Sequence, residues 1–108
     1  MLREITPREL AARLAAGEPT YLLDVRQPGE HALVALGGSV LLPLDQLGAR
    51  HTELQPPDGA LVVAYCHHGM RSLDAARFLA GRGWSDVASL AGGIDAWACE
   101  IDPALPRY

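Results

Sequence analysis

The sequence predicts a single α/β domain over residues 1–108, a mainly parallel central sheet with helices on both faces. Three observations predict it. Short apolar runs alternate with amphipathic, capped segments along the whole chain, the signature of strand–helix units that wind a parallel sheet. The most hydrophobic run, Ala60-Leu61-Val62-Val63-Ala64-Tyr65, is apolar at successive positions, which suits a strand covered on both faces. And 108 residues, 49% hydrophobic and 20% charged, make one ordinary folded domain.

The elements run in order. Thr6-Pro7-Arg8-Glu9 supplies an N-cap threonine, a proline at the first helical position and a capping-box glutamate. Pro7, Leu10, Ala11 and Leu14 then share one helix face, and Gly17 ends the helix. Tyr21 to Val25 reads as a buried strand, broken by Gln27-Pro28-Gly29-Glu30. Glu30 to Leu36 reads as a short helix stopped by Gly37-Gly38, and Val40 to Leu42 as a second strand ended by Pro43. Leu44 to Leu54 reads as a helix interrupted at Gly48. Pro56-Pro57-Asp58-Gly59 is a turn before the strand Ala60–Tyr65. Cys66 to Arg71 reads as a loop and Ser72 to Gly81 as a helix. Val87 to Leu90 is a further strand, Gly92-Gly93 breaks it, and Ile94 to Cys99 is a last short helix.

Composition excludes several classes. A net charge of −4 argues against a nucleic-acid partner, whose footprint is a basic excess. Two cysteines are too few for a disulfide framework. No stretch has signal-peptide character or the roughly 20 apolar residues that span a bilayer, so no membrane partner and a reducing, cytoplasmic setting are expected. All nine basic residues are arginine, so any cationic anion recognition falls to arginine or histidine.

Ligands of open α/β sheets bind beyond the carboxyl ends of the strands. The strand Ala60–Tyr65 ends in Cys66-His67-His68-Gly69-Met70-Arg71-Ser72, a loop running straight into a helix N-terminus. That geometry aims backbone N–H groups and the positive end of the helix dipole at one point. Gly69 allows the tight turn, and Arg71 offers a planar fork of donors for an oxyanion. These surroundings favour a thiolate at Cys66, the nucleophilic form of cysteine. A cysteine at a strand end is by itself more often a small core residue; the glycine, arginine and helix start reverse that balance. His67 and His68 are expected to line the mouth and add partial positive charge. No metal site is expected, because adjacent histidines on a tight loop rarely converge on one ion and no second cluster completes a tetrahedron. Asp24 and Arg26, at the end of their own strand, are candidates for supporting roles: an ion pair is favoured for Asp24, and Arg26 is left open. Cys99 is expected to pack among apolar neighbours, Trp97 to back the cysteine loop, and His31 and His51 to lie on the surface.

Four residues separate Cys66 from Arg71. Cysteine-dependent phosphatases have a loop one residue longer, usually after a histidine where Tyr65 stands here. The shorter cradle suits one added sulfur better than a tetrahedral phosphate. Three stretches then resemble the single-domain rhodaneses: Leu23-Asp24-Val25-Arg26 with Glu30, the loop Cys66–Ser72, and Leu90-Ala91-Gly92-Gly93-Ile94-Asp95-Ala96-Trp97. Ala35-Leu36-Gly37-Gly38-Ser39 departs from that family by lacking a histidine and a proline, and Leu41 stands where a polar residue is common. The tail from Glu100 to Tyr108 resembles rhodanese modules attached to ubiquitin-activating-like enzymes of sulfur-carrier pathways. The resemblance implies a sulfurtransferase with Cys66 as the catalytic nucleophile and a covalent persulfide on it. Backbone N–H groups from His67 through Gly69 and Met70 to Ser72 would hold the persulfide, and Arg71 the donor's oxyanion. The implied partners are a thiosulfate-like small donor and a thiol or cyanide acceptor, with a sulfur-carrier protein as a weaker indication; no cofactor is implied. A non-catalytic or sulfur-relay interaction module, and a phosphatase or arsenate reductase on the same scaffold, stay open as alternatives.

Overall fold

The computed structural model describes residues 3–108. Its sheet has five parallel strands: β1 (Glu4–Ile5), β2 (Thr20–Asp24), β3 (Val40–Leu41), β4 (Leu61–Tyr65) and β5 (Val87–Leu90). They lie in the order β1-β5-β4-β2-β3. Five helices connect or succeed them: α1 (Pro7–Ala15), α2 (Pro28–Leu33), α3 (Leu44–Arg50), α4 (Met70–Gly81) and α5 (Gly93–Glu100). A 3-10 turn, His51–Glu53, extends α3.

The central strand β4 shows why the sheet needs cover on both sides. Leu61, Val63 and Tyr65 point into one apolar cluster with Leu10 of α1 and Ile94 of α5. Val62, Ala64 and Cys66 point into the other, with Leu47 of α3 and Ala75, Ala76 and Leu79 of α4. Alternate side chains of a strand leave opposite faces, so a run apolar at every position fits only a strand buried twice. Cys66 thus emerges on the α4 face, at the carboxyl end of the central strand.

The fold class is as the sequence predicts, and the element limits differ in instructive ways. The edge strand β1 pairs with β5, Glu4 opposite Ser89 and Ile5 opposite Leu90; two residues before a cap carry no period to read. Helix α1 has the expected capping box, with Thr6 Oγ1 accepting from Glu9 N–H at 3.1 Å and Glu9 Oε1 from Thr6 N–H at 2.9 Å. Helix α2 begins at Pro28 rather than Glu30, because proline is well suited to a first helical position. Helix α3 passes through Gly48 without interruption. Helix α4 begins at Met70, so Arg71 belongs to its first turn and not to the loop.

Candidate active site

Strands β2 and β4 lie side by side in register, with Asp24 opposite Tyr65. Their carboxyl ends therefore place Asp24-Val25-Arg26 beside Tyr65-Cys66, and Val25 N–H donates to the Tyr65 carbonyl at 3.1 Å. The cysteine residue is only 1% exposed. Its Sγ accepts from Gly69 N–H at 3.0 Å and Ser72 N–H at 3.4 Å, and its thiol can donate to Ser72 Oγ at 3.5 Å. The two amides are those of the residue capping α4 and of its first turn, so they face the sulfur with the helix dipole behind them. Ser72 Oγ reaches back to the Gly69 carbonyl at 3.2 Å and meets Ser89 Oγ at 2.8 Å, which ties the first turn of α4 to β5.

The loop keeps its shape by backbone contacts that exclude side chains. Gly69 has φ +107°, and a Cβ there would stand 3.2 Å from Gly92 N. The start of α5 clamps the other side: Ile94 N–H donates to the Cys66 carbonyl at 2.8 Å and Asp95 N–H to the His67 carbonyl at 3.1 Å. Gly93 lies directly over those carbonyls.

Arg71 does not stand free at the mouth. Its guanidinium forms a fork with Glu30 of α2, Nη1 to Oε1 at 2.7 Å and Nη2 to Oε2 at 2.9 Å. Glu30 Oε1 also accepts from Gln27 N–H at 3.0 Å, and Oε2 from the Tyr108 hydroxyl at 2.9 Å. The Arg71 hydrogen bonds hold the Glu30 carboxyl down to about 2, against its partial burial. The same pair, opposed by some desolvation, pushes Arg71 up.

Beneath this pair lies a second one. Arg26 and Asp24 are both fully buried, joined Nε to Oδ1 at 2.9 Å and Nη2 to Oδ2 at 2.7 Å. Arg26 also donates to the Val34 carbonyl at 2.6 Å and the Tyr108 oxygen at 2.8 Å. Burial works against the Asp24 carboxylate, but hydrogen bonds from Arg26 and His31 outweigh it and lower its pKa. His31 Nδ1 lies 2.8 Å from Asp24 Oδ2. The ion pair favoured for Asp24 from sequence is thus present; Arg26 completes it and touches the mouth only through Tyr108.

His67 lies between the ring of His68, 3.9 Å away, and that of Tyr108, 4.0 Å away at an interplanar angle of 11°. Burial, with His68 beside it, pushes the His67 pKa down. That shift works against the positive charge expected of His67. His68 is largely exposed, 3.7 Å from Asp95, and Asp95 is forked by Arg107 at 2.8 and 3.2 Å. Ligating atoms of His67, His68 and Asp95 come within 4.8 Å of one another, a convergence that loop adjacency alone did not suggest. The two imidazoles stack with their rings 23° apart, and the carboxylate of this cluster already holds the Arg107 guanidinium.

Several other expectations need correction. Cys99 is exposed rather than packed, because it lies on the outer face of α5. Trp97 packs with Leu105 against the cluster on the opposite face of the sheet from Cys66, not behind the cysteine loop. His31 is half-buried on Asp24, and His51 is half-buried edge-on to Phe78 at 5.2 Å. Met70, expected within the loop, instead opens α4 and is 77% exposed. Sequence reasoning also missed Tyr65 and Tyr108. The Tyr65 hydroxyl accepts from Leu36 N–H at 3.1 Å and meets Ser39 Oγ at 2.8 Å, so it anchors the divergent Ala35–Ser39 turn. Tyr108 had no local signal beyond an aromatic after Pro106. Glu30 had one, its place beside Leu23-Asp24-Val25-Arg26, but nothing nearby in the chain pointed to its partner.

This site and fold define a rhodanese-like domain: the family model for that domain matches residues 6–100, and the chain belongs to the family. Among individual relatives, a protein named sulfurtransferase from Allochromatium vinosum is 38% identical over 98 residues, covering 91% of this chain and 90% of its own length. The probable adenylyltransferase/sulfurtransferase MoeZ of Mycobacterium tuberculosis is 36% identical over 104 residues, 96% of this chain; the chain spans only 26% of MoeZ. The crystal structure of a rhodanese-related protein from Thermoplasma volcanium superposes with a TM-score of 0.79 at 27% identity, covering 96% of this chain and 95% of the other. Among the described residues no helix is long and apolar enough to cross a membrane.

Proposed function

We infer that the protein is a sulfurtransferase that moves a sulfane sulfur from a donor to a thiophilic acceptor through a persulfide on Cys66. The observation that carries this reading is the Cys66 sulfur itself, met by the Gly69 and Ser72 amides at the start of α4. Those dipoles stabilise negative charge on sulfur and remain fixed while it is exchanged.

In the first half-reaction the Cys66 thiolate attacks the outer sulfur of the donor, the donor's S–S bond breaks, and its electron pair leaves with the remainder. With thiosulfate the remainder is sulfite. In the second half-reaction a thiolate or cyanide attacks the outer sulfur of the persulfide and Cys66 leaves as thiolate, ready for another turn. The scheme calls for no metal or organic cofactor. Relatives named adenylyltransferase/sulfurtransferase carry the homologous segment inside longer chains, which supports a sulfur-carrier protein as acceptor.

Intact mass spectrometry tests the reading. Reduced protein incubated with excess thiosulfate or glutathione persulfide should gain one sulfur on Cys66, and cyanide should remove it. Cys66→Ser should gain none while keeping the wild-type circular dichroism spectrum. Wild-type protein that takes no cyanide-releasable sulfur from either donor would overturn the assignment.

A further inference from the structure

The charges around Cys66 bear on which donor the site accepts, a question that rests on the reading of Cys66 as a persulfide carrier. Every arginine at the mouth is already matched by a carboxylate of the same chain. Arg71 is forked by Glu30, Arg26 by Asp24 and Arg107 by Asp95. The chain has no lysine to add, and His67 is half-buried, stacked against the rings of His68 and Tyr108. His68 remains, exposed and directed at Asp95. A small dianion approaching the Cys66 thiolate thus meets paired charges and the thiolate's own repulsion.

Glu30 is the decisive group. Its two oxygens accept four hydrogen bonds, from Gln27 N–H, both terminal nitrogens of Arg71 and the Tyr108 hydroxyl. A donor sulfonate that takes the terminal edge of Arg71 must displace this carboxylate, which leaves Glu30 partly buried and short of its counter-ion; at the remaining N–H groups it meets a guanidinium whose charge Glu30 already offsets. Beside the paired charges the rim also carries exposed apolar and aromatic surface, with Met70 77% and Tyr108 41% exposed. That surface suits the organic body of a donor whose reacting group carries at most one charge.

We propose that Glu30 sets the donor preference of the site, acting as a built-in competitor for Arg71 that disfavours oxyanionic donors such as thiosulfate and leaves organic persulfides as the preferred class. The preferred step is balanced without an outside oxidant or reductant. The Cys66 thiolate and R–S–SH give Cys66–S–SH and R–S⁻; one S–S bond forms, one breaks, and the proton stays with the transferred sulfur. Glu30 is a positioning residue here, because it acts through Arg71. Tyr108 acts through Glu30 in turn.

The test is the rate of sulfur loading on Cys66, read by intact mass under single-turnover conditions, from glutathione persulfide and from thiosulfate in parallel. In Glu30→Gln the neutral amide no longer cancels Arg71, and the thiosulfate-to-persulfide rate ratio should rise at least tenfold over wild type. Tyr108→Phe, which removes one of the hydrogen bonds holding Glu30 and keeps the ring stack, should raise the same ratio about threefold and serves if the first variant does not fold. A ratio that stays put while both rates fall would mark Glu30 as structural and overturn the proposal. So would wild-type protein that loads faster from thiosulfate than from the persulfide. Loading from neither donor would instead remove the persulfide reading on which the proposal stands.

Discussion

Gly93→Ala is the sharpest test of how the cysteine loop is held. A Cβ at Gly93 would stand 2.4 Å from the His67 carbonyl oxygen and 2.5 Å from that of Cys66, with φ at +65°. Those two oxygens accept from Ile94 and Asp95 N–H, so the clash falls on the bonds that fix the loop. The neighbours are backbone and cannot rotate away; the loop or the start of α5 must retreat by about 1 Å to restore normal contact. The left-handed conformation costs alanine about 1 kcal/mol, and two weakened hydrogen bonds roughly 1 kcal/mol each. A loss of about 3 kcal/mol should lower the melting midpoint of a domain this size by roughly 12 °C. Gly48→Ala is the control: nothing lies within 4 Å of its Cβ, and it sits inside α3. It should raise the midpoint by about 2–4 °C, from roughly 0.5–1 kcal/mol of helix propensity and unfolded-state entropy. Thermal melts of the three proteins, with sulfur loading on Cys66 alongside, read both effects. If Gly93→Ala melts within about 3 °C of wild type and loads at the wild-type rate, the loop is not held by that contact and the account of the site is wrong.

Asp24→Asn leaves Arg26 buried without its counter-ion and should cost about 3–5 kcal/mol in urea unfolding; a loss under about 1 kcal/mol would mean the pair is hydrated. Tyr65→Phe removes the acceptor of Leu36 N–H and the partner of Ser39, and should cost about 1–2 kcal/mol by the same assay, with the Ala35–Ser39 turn exchanging its amide hydrogens faster. Glu30 and Asp24 both have folded pKa values below their unfolded ones, Glu30 about 2 instead of 4.5. The stability they contribute is therefore complete above the unfolded values and lost as pH falls from about 4.5 towards 2, with Glu30 accounting for at most roughly 3 kcal/mol. Denaturation midpoints measured between pH 6 and pH 2 should fall through that window, and less steeply in Glu30→Gln. Cys99→Ser changes an exposed side chain and should shift the melting midpoint by less than about 2 °C, whereas a packing cysteine would cost several times more.

How much of the molecule was legible in the sequence depends on the range over which each signal acts. The capping box of α1, the doubly buried strand β4 and the glycines before α5 are set by residues within a few positions of one another. Their physics is local, and all were legible. The cysteine cradle was legible for the same reason, since Cys66, Gly69 and Ser72 lie within one strand-to-helix turn. The wall of the site was not. Glu30 and Arg71 are 41 residues apart, and Arg26 and Tyr108 are 82 apart. No period or cap links such pairs; only the sheet order, which sets β2 beside β4, brings them together. The downward shift of His67 had no local signal for the same reason, because it comes from partial burial and from His68 beside it and not from its place in the loop.

The buried Arg26–Asp24 pair shows what that long-range layer does. A fully buried ion pair is weak evidence of stability, since desolvating two charges offsets most of their attraction. Its hydrogen bonds point to a positional role instead. Arg26 holds the Val34 carbonyl just past the end of α2 and the Tyr108 oxygen, while Asp24 takes His31 from the middle of α2. All three contacts fix elements that carry or touch Glu30. The end of β2 therefore sets where α2 stands, and α2 sets where Glu30 meets Arg71; on the proposed reading, that meeting sets the charge a donor meets at Cys66. Replacing Asp24 and Arg26 together by apolar residues of similar size can leave the sheet as stable as before. It would release Tyr108 and loosen α2, so the expected loss is control over the Arg71 charge rather than the fold.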